Sequence, residues 1–184
     1  MVTFLALSCS FDPPMIGPMQ LVEIWKTDID KTYALVQQFP ADENGFENDA
    51  QGMARADFPA YVQRLHDAAD GLGLQNGWVP ATKYVLIDDD GTYVGLFNLR
   101  HRLNDNLRRG AGHIGYGIAK PYRGKGYATR GLQLCFEKAR DVIDEPEAYL
   151  SVHKDNAASL AVQRRCGARI DHEDEREYYT RIPI

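Results

Sequence analysis

Apolar and polar positions alternate along the chain in a way that separates helices from strands. "MQLVEIW", Met19 to Trp25, reads as a strand, and "DIDKTYALVQQF" follows with helical signals until Pro40 ends it. "ADENGFENDA", Ala41 to Ala50, is polar, acidic and loop-like. Phe58, Tyr61, Val62, Leu65, Ala69 and Leu72 recur at spacings of three and four. That predicts an amphipathic helix from about Asp57, stopped by Gly71 and Gly73. "KYVLI" and "TYVGLFNLR" flank Asp88–Asp89–Asp90–Gly91 and predict a hairpin. "RHRLNDNLRRGAG" reads as a polar connection to a strand at His113–Ala119.

After that strand comes "KPYRGKGYATRGLQLCFEKARD", a glycine-bearing turn and then a helix with Ala128, Leu132, Cys135, Phe136 and Ala139 on one face. "AYLSVH", Ala148 to His153, is a further strand. "NAASLAVQRRCGA" is a short helix with Asn156 as N-cap and Gly167 at C′. "EYYTRIPI" closes the chain as a strand, with room for a short one near Ile170. The order β-α-α-β-β-β-α-β-α-β predicts a mixed α/β (α+β) domain, not a doubly wound parallel sheet.

Composition changes this picture little. A chain of 184 residues suits one domain, here 19–184, with residues 1–18 and their prolines as an N-terminal extension. The apolar start lacks a basic flank, which argues against a signal peptide, and no stretch is apolar enough to span a membrane. A net charge of −5 argues against nucleic acid as a partner, so any anion must be held by a local arrangement. Three cysteines, Cys9, Cys135 and Cys166, with no CxxC spacing, point away from a disulfide framework or a metal cluster and toward buried thiols in the cytoplasm.

The glycine-bearing turn carries the chemistry. A helix N-terminus has unsatisfied N–H groups and a partial positive charge. Glycines there let backbone amides converge on a phosphate without a Cβ in the way. Gly124 and Gly126 open the backbone, while Arg123, Lys125 and Thr129 add charge and hydroxyl contacts. The pattern is neither a P-loop nor a dinucleotide fingerprint.

The segment "HIGYGIAKPYRGKGYATRGL" resembles the GNAT acetyltransferase superfamily through Ile118, Pro121, Arg123, Gly126 and Ala128, which match its strand, Pro and [QR]-x-x-G-x-[GA]. "DNAASLAVQRRCGA" resembles the second motif of that family through Asn156, Ala158, Ser159 and Gly167. "GWVPATKYVLIDDDG", "LRHRLN" and "GHIGYG" are similar to a bacterial branch of the same superfamily.

The resemblance implies a central mixed, mostly antiparallel sheet with two splayed parallel central strands, His113–Ala119 and Ala148–His153. It also implies an N-acetyltransferase that uses acetyl-CoA, without a metal, to modify a primary amine of a small molecule or peptide. A homodimer is compatible with it. The turn residues Arg123, Gly124, Lys125, Gly126, Tyr127, Ala128 and Thr129 would then hold the pyrophosphate. The Ile118 backbone would bond the thioester oxygen, and Asn156 and Ser159 would line the pantetheine arm. Two rivals remain: a module that binds acyl-CoA without catalysis, and an acyltransferase for longer acyl groups or hydroxyl acceptors.

The usual acid of the family, a Tyr on the last helix, falls on Gln163, and the usual base falls on Gly112. Proton transfer then rests with His113, His101 or Tyr116, or with water. Strand alternation places His113 on the face opposite to Tyr116. His66 and His172 take no role.

Overall fold

The computed structural model describes residues 18–184, so the expected extension lies almost wholly outside the described residues. Met19 is buried, and the strand expected there is short: β1 (Gln20–Glu23) passes into a 3-10 turn at Ile24–Lys26. Asp28 caps α1 (Ile29–Val36), its carboxylate accepting from the N–H groups of Asp30 and Lys31 at 3.0 and 2.9 Å. The acidic stretch expected as a loop is a small hairpin, β2 (Asp42–Glu43) and β3 (Phe46–Glu47). Asn44 and Gly45 form its turn with φ of 54° and 80°, the pairing a type I′ turn demands. α2 (Phe58–Ala69) follows, ending one turn earlier than the spacing suggests and leaving Leu72 exposed.

β4 (Ala81–Ile87) and β5 (Tyr93–Arg100) form the expected hairpin, its turn held by Asp88 accepting from Thr92 N–H at 2.8 Å. The polar connection contains one helical turn, α3 (Asp105–Arg108). β6 (Ile114–Ile118) leads through a 3-10 turn into α4 (Tyr127–Ala139). Then come β7 (Glu147–His153), α5 (Ala157–Arg165), β8 (Arg169–Glu173) and β9 (Glu177–Pro183). The short strand anticipated near Ile170 is β8.

These strands form a four-stranded sheet, β1-β4-β5-β6, and a three-stranded sheet, β7-β9-β8, and every ladder in them is antiparallel. The central sheet is therefore split between β6 and β7. Phe97, Leu99, Leu132, Cys135, Leu150 and Ile182 form an apolar layer beneath both sheets, with α4 at its centre. Ile24, Leu35, Phe58, Val85 and Leu96 form a second layer under α1 and α2 on the other face. Each fully buried large side chain contributes about 1.5–3 kcal/mol, so the first layer, which joins Leu150 and Ile182 of one sheet to Phe97 and Leu99 of the other, holds the halves together where the ladder is missing.

The sheets touch through one isolated bridge, Gly112 with Leu150. Beside it His113 N–H donates to the Tyr149 carbonyl at 2.6 Å, and Tyr149 N–H donates to His113 Nδ1 at 3.0 Å. Only glycine fits at 112: φ is +65°, and a Cβ would stand 2.0 Å from the Tyr149 carbonyl oxygen. Gly112→Ala combines left-handed strain with a backbone clash and should cost about 3 kcal/mol or more. Urea unfolding checks this, and wild-type stability in the variant would show that the bridge is not what joins the sheets.

Candidate functional site

At the head of α4 the chain turns through Gly124 and Gly126, with φ of 76° and 85°. Gly126 is the N-cap, and the first internal helix bond is Arg130 N–H to the Gly126 carbonyl. Among the described residues, the amides from Gly124 through Thr129 donate to no protein group. A Cβ at Gly124 or Gly126 would meet nothing within 4 Å, and Gly124, Gly126, Tyr127, Ala128 and Thr129 all border open space. Converging free amides at the positive end of a three-turn helix suit an anion carrying several oxygens.

The amides open onto a cleft of about 600 Å³ between β6 and β7. In the β5–β6 ladder, Ala119 N–H bonds the Val94 carbonyl and Arg100 N–H bonds the His113 carbonyl. Antiparallel alternation then turns the main-chain groups of Ile114, Tyr116 and Ile118 away from β5, toward the cleft. The far wall is formed by Ser151 and Val152 of β7 and by Asn156, Ala158, Ser159 and Val162 around α5. Asn156 caps α5 by accepting from Ser159 N–H at 3.1 Å, and its amide nitrogen donates to no described residue. The Tyr116 ring stacks on Phe97 at 5.5 Å, and its hydroxyl meets Ser159 Oγ at 2.9 Å. Burial pushes that hydroxyl up to about 12, with the Ser159 bond opposing, so it keeps its proton at neutral pH.

The β2–β3 hairpin covers the opposite side of the cleft. Phe46 packs on β6 where Gly117 leaves space, since a Cβ there would meet the Phe46 ring at 3.3 Å. Gly45 lies against the His153 ring, and Glu43 pairs with Arg123. Glu177 lines the same side and stands 3.3 Å from His153 Nε2.

The pattern of the acetyltransferase (GNAT) domain matches residues 23–169. The chain belongs to the GNAT acetyltransferase family. No curated protein matches the sequence. Solved GNAT structures share the fold at low identity. The Campylobacter jejuni N-acetyltransferase PseH, in complex with acetyl coenzyme A, is 11% identical with a TM-score of 0.60, covering 90% of this chain and 99% of its own. The Vibrio fischeri ribosomal-protein-S5-alanine acetyltransferase is 15% identical with a TM-score of 0.63, covering 90% and 91%. A spermidine N-acetyltransferase chimera from Vibrio cholerae and hSSAT is 16% identical with a TM-score of 0.58, covering 90% and 95%.

Against this GNAT scaffold, the residues singled out from sequence divide clearly. Ile118, Gly124, Gly126, Tyr127, Ala128, Thr129, Asn156, Ser159 and Tyr116 all line the cleft. Arg123 also lines it, but its side chain is engaged: Nε donates to the Ile118 carbonyl at 2.8 Å while the fork pairs with Glu43. Lys125 is exposed and lies 5.7 Å over the Tyr122 ring. His101 lies outside the cleft lining, bonded to Thr82 at 2.8 Å, and burial lowers its pKa.

His113 is fully buried and also outside the lining. Its Nδ1 accepts from Tyr149, and Nε2 stands 3.4 Å from Glu145 without a hydrogen bond of good geometry. His113 and Tyr116 thus stand on opposite faces, as strand alternation predicts. Gln163 is also outside the lining, behind the Tyr116 hydroxyl that it helps to hold. It is buried against the β7–β9 pair, accepting from Thr180 Oγ1 at 2.7 Å and reaching the Ser151 carbonyl at 3.4 Å.

Sequence reasoning missed Glu43, Phe46, Arg100, Arg165 and Glu177, which also line the cleft. The Asn44–Gly45 pair was the available signal for the hairpin residues. Glu177 stands in the acidic run "DHEDERE", which reads either as a border of the acceptor site or as a solvated loop, and nothing local marked Arg100 or Arg165.

Burial, opposed by Glu145, holds the His113 pKa below the ordinary value, so the folded state keeps the ring neutral. The unfolded chain then binds more protons below about pH 6.5, and stability should fall as pH drops through that value. His101 contributes with the same sign. His113→Ala should lower stability by about 1–3 kcal/mol, because it strands the Tyr149 amide, and should flatten the acid limb of a melting-temperature profile. An unchanged profile would rule out this structural role.

Proposed function

We propose that the protein is an acetyl-CoA-dependent N-acetyltransferase acting on a primary amine. The observation that carries this reading is the run of free amides from Gly124 to Thr129, opening on a cleft edged by the side of β6 that joins no ladder. Those amides would hold the pyrophosphate, with exposed Arg165 beside them as a further cation. The free amide of Asn156 would bond the pantetheine arm, and the Ile118 N–H would polarise the thioester carbonyl. Acetyl-CoA supplies the acetyl group, which moves to the amine nitrogen as the thiolate leaves and takes up a proton.

Tyr116 is the proton donor in this proposal. It lines the cleft, keeps its proton at neutral pH and is oriented by Ser159. Glu177 and His153, on the hairpin side, form the pair that would accept the proton of the amine. The spermidine and S5-alanine acetyltransferases are named for different amines, so the family does not choose the acceptor. The free thiols Cys135 and Cys166 support a reducing cytoplasmic setting, and no helix among the described residues is long and apolar enough to cross a membrane.

Gly126→Val puts a branched residue at φ +85° and should weaken acetyl-CoA binding more than tenfold, about 1.4 kcal/mol. Calorimetry on the folded variant checks the cradle, and unchanged affinity would remove the assignment. Tyr116→Phe should lower kcat by about 10²-fold while CoA binding holds, read as CoA release with an amine panel. A wild-type protein that binds acetyl-CoA but releases none with any amine would instead be a binding module. Preference for longer acyl-CoA would mark the other rival.

A further inference from the structure

The cleft has two ends. The α4 cradle closes one. The other lies at the start of β6, where Arg100 and Ala111 line it. Arg100 is the last residue of β5, and its backbone N–H is committed to the His113 carbonyl at 2.8 Å. Its side chain is half-buried and makes one protein hydrogen bond, from Nη1 to the Gly112 carbonyl at 3.0 Å. Nε and Nη2 donate to no described residue, and no carboxylate among the described residues is within ion-pair distance. Glu47 acts on it only through space, from an exposed position.

A desolvated guanidinium is costly unless something pairs with it. The other arginines of the cleft do not compete for the same role. Arg123 is held by Glu43, and Arg165 is exposed at the other end. The anionic group that fits Arg100 is planar and takes two parallel N–H bonds, which describes a carboxylate. Glu177 also lines the cleft and provides the opposite charge, suited to an ammonium.

We infer that the acceptor is an amine that also carries a carboxylate, such as an amino acid or a short peptide acid, and that Arg100 receives that carboxylate. The inference rests on the acetyltransferase reading and names the substrate class of the same site. Arg100 is a specificity residue here. It orients the acceptor and takes no part in moving the acetyl group.

Matched pairs test it: tyrosine against tyramine, tryptophan against tryptamine, ornithine against putrescine. Each pair differs in the carboxylate alone. Two readouts are taken on the full chain, binding to CoA-loaded protein by calorimetry and CoA release from acetyl-CoA. The carboxylate member of at least one pair should bind and turn over at least tenfold better. Arg100→Gln should erase that preference mainly through KM.

Equal or better performance by the decarboxylated members overturns the inference, and so does the absence of binding by either member of every pair. Carboxylate-selective binding that Arg100→Gln abolishes, with no CoA release, supports the anion site and defeats the transferase reading instead. If Arg100→Gln fails to fold, the pairs measured on the wild-type chain decide alone.

Discussion

Everything in the molecule depends on how β6 and β7 meet. One bridge, from Gly112 just ahead of β6 to Leu150 of β7, joins them before they part. A continuous ladder would have satisfied the inner edges of both strands and left no cleft. The bridge needs a left-handed residue without a side chain, and the adjacent buried imidazole completes it by accepting from the Tyr149 amide. The loss of ladder hydrogen bonds is offset by the apolar layer beneath, where Leu132, Phe97, Leu150 and Ile182 pack across the split.

The electrostatics follow the same local logic. The chain carries a net charge of −5, yet the proposed acetyl-CoA site would have to attract a polyanion. Arg123 is largely neutralised by Glu43, which the guanidinium in turn holds below the usual carboxylate range. In the proposed site the attraction would therefore come mainly from oriented peptide dipoles at the head of α4, which carry no net charge and need no counterion, with exposed Arg165 as an added cation. The hairpin gains from the same ion pair, because Arg123 ties Glu43 to the C-terminal end of β6 through the Ile118 carbonyl.

Much of the fold was legible because the apolar spacing was regular. α2, α4, α5 and the β4–β5 hairpin came from periodicity and turn residues, and the cradle came from glycines at a helix start. The β2–β3 hairpin escaped because its strands are two residues each, too short to alternate, so only Asn44–Gly45 marked it. Gln163 could not be placed from its neighbours, since its partner Thr180 lies on a strand that sequence cannot bring beside α5. Alternation along β6 did separate His113 from Tyr116. It could not show that His113 ends against Tyr149, because that contact belongs to the other sheet. Arg100 was hidden for a similar reason: a cation at a strand end reads as solvated until the fold closes around it.

α4 joins two tasks that many folds keep apart. Its buried stripe, Leu132, Cys135, Phe136 and Ala139, is the middle of the main apolar layer, and its first turn is the cradle. A ligand held by those amides is therefore held by the native state alone, since the unfolded chain has no helix end to offer. Occupancy and folding then become linked equilibria: at a concentration a hundred times the dissociation constant, a ligand would deepen the native well by about 2.7 kcal/mol. The cell's supply of that ligand thus becomes one determinant of how long the folded chain persists.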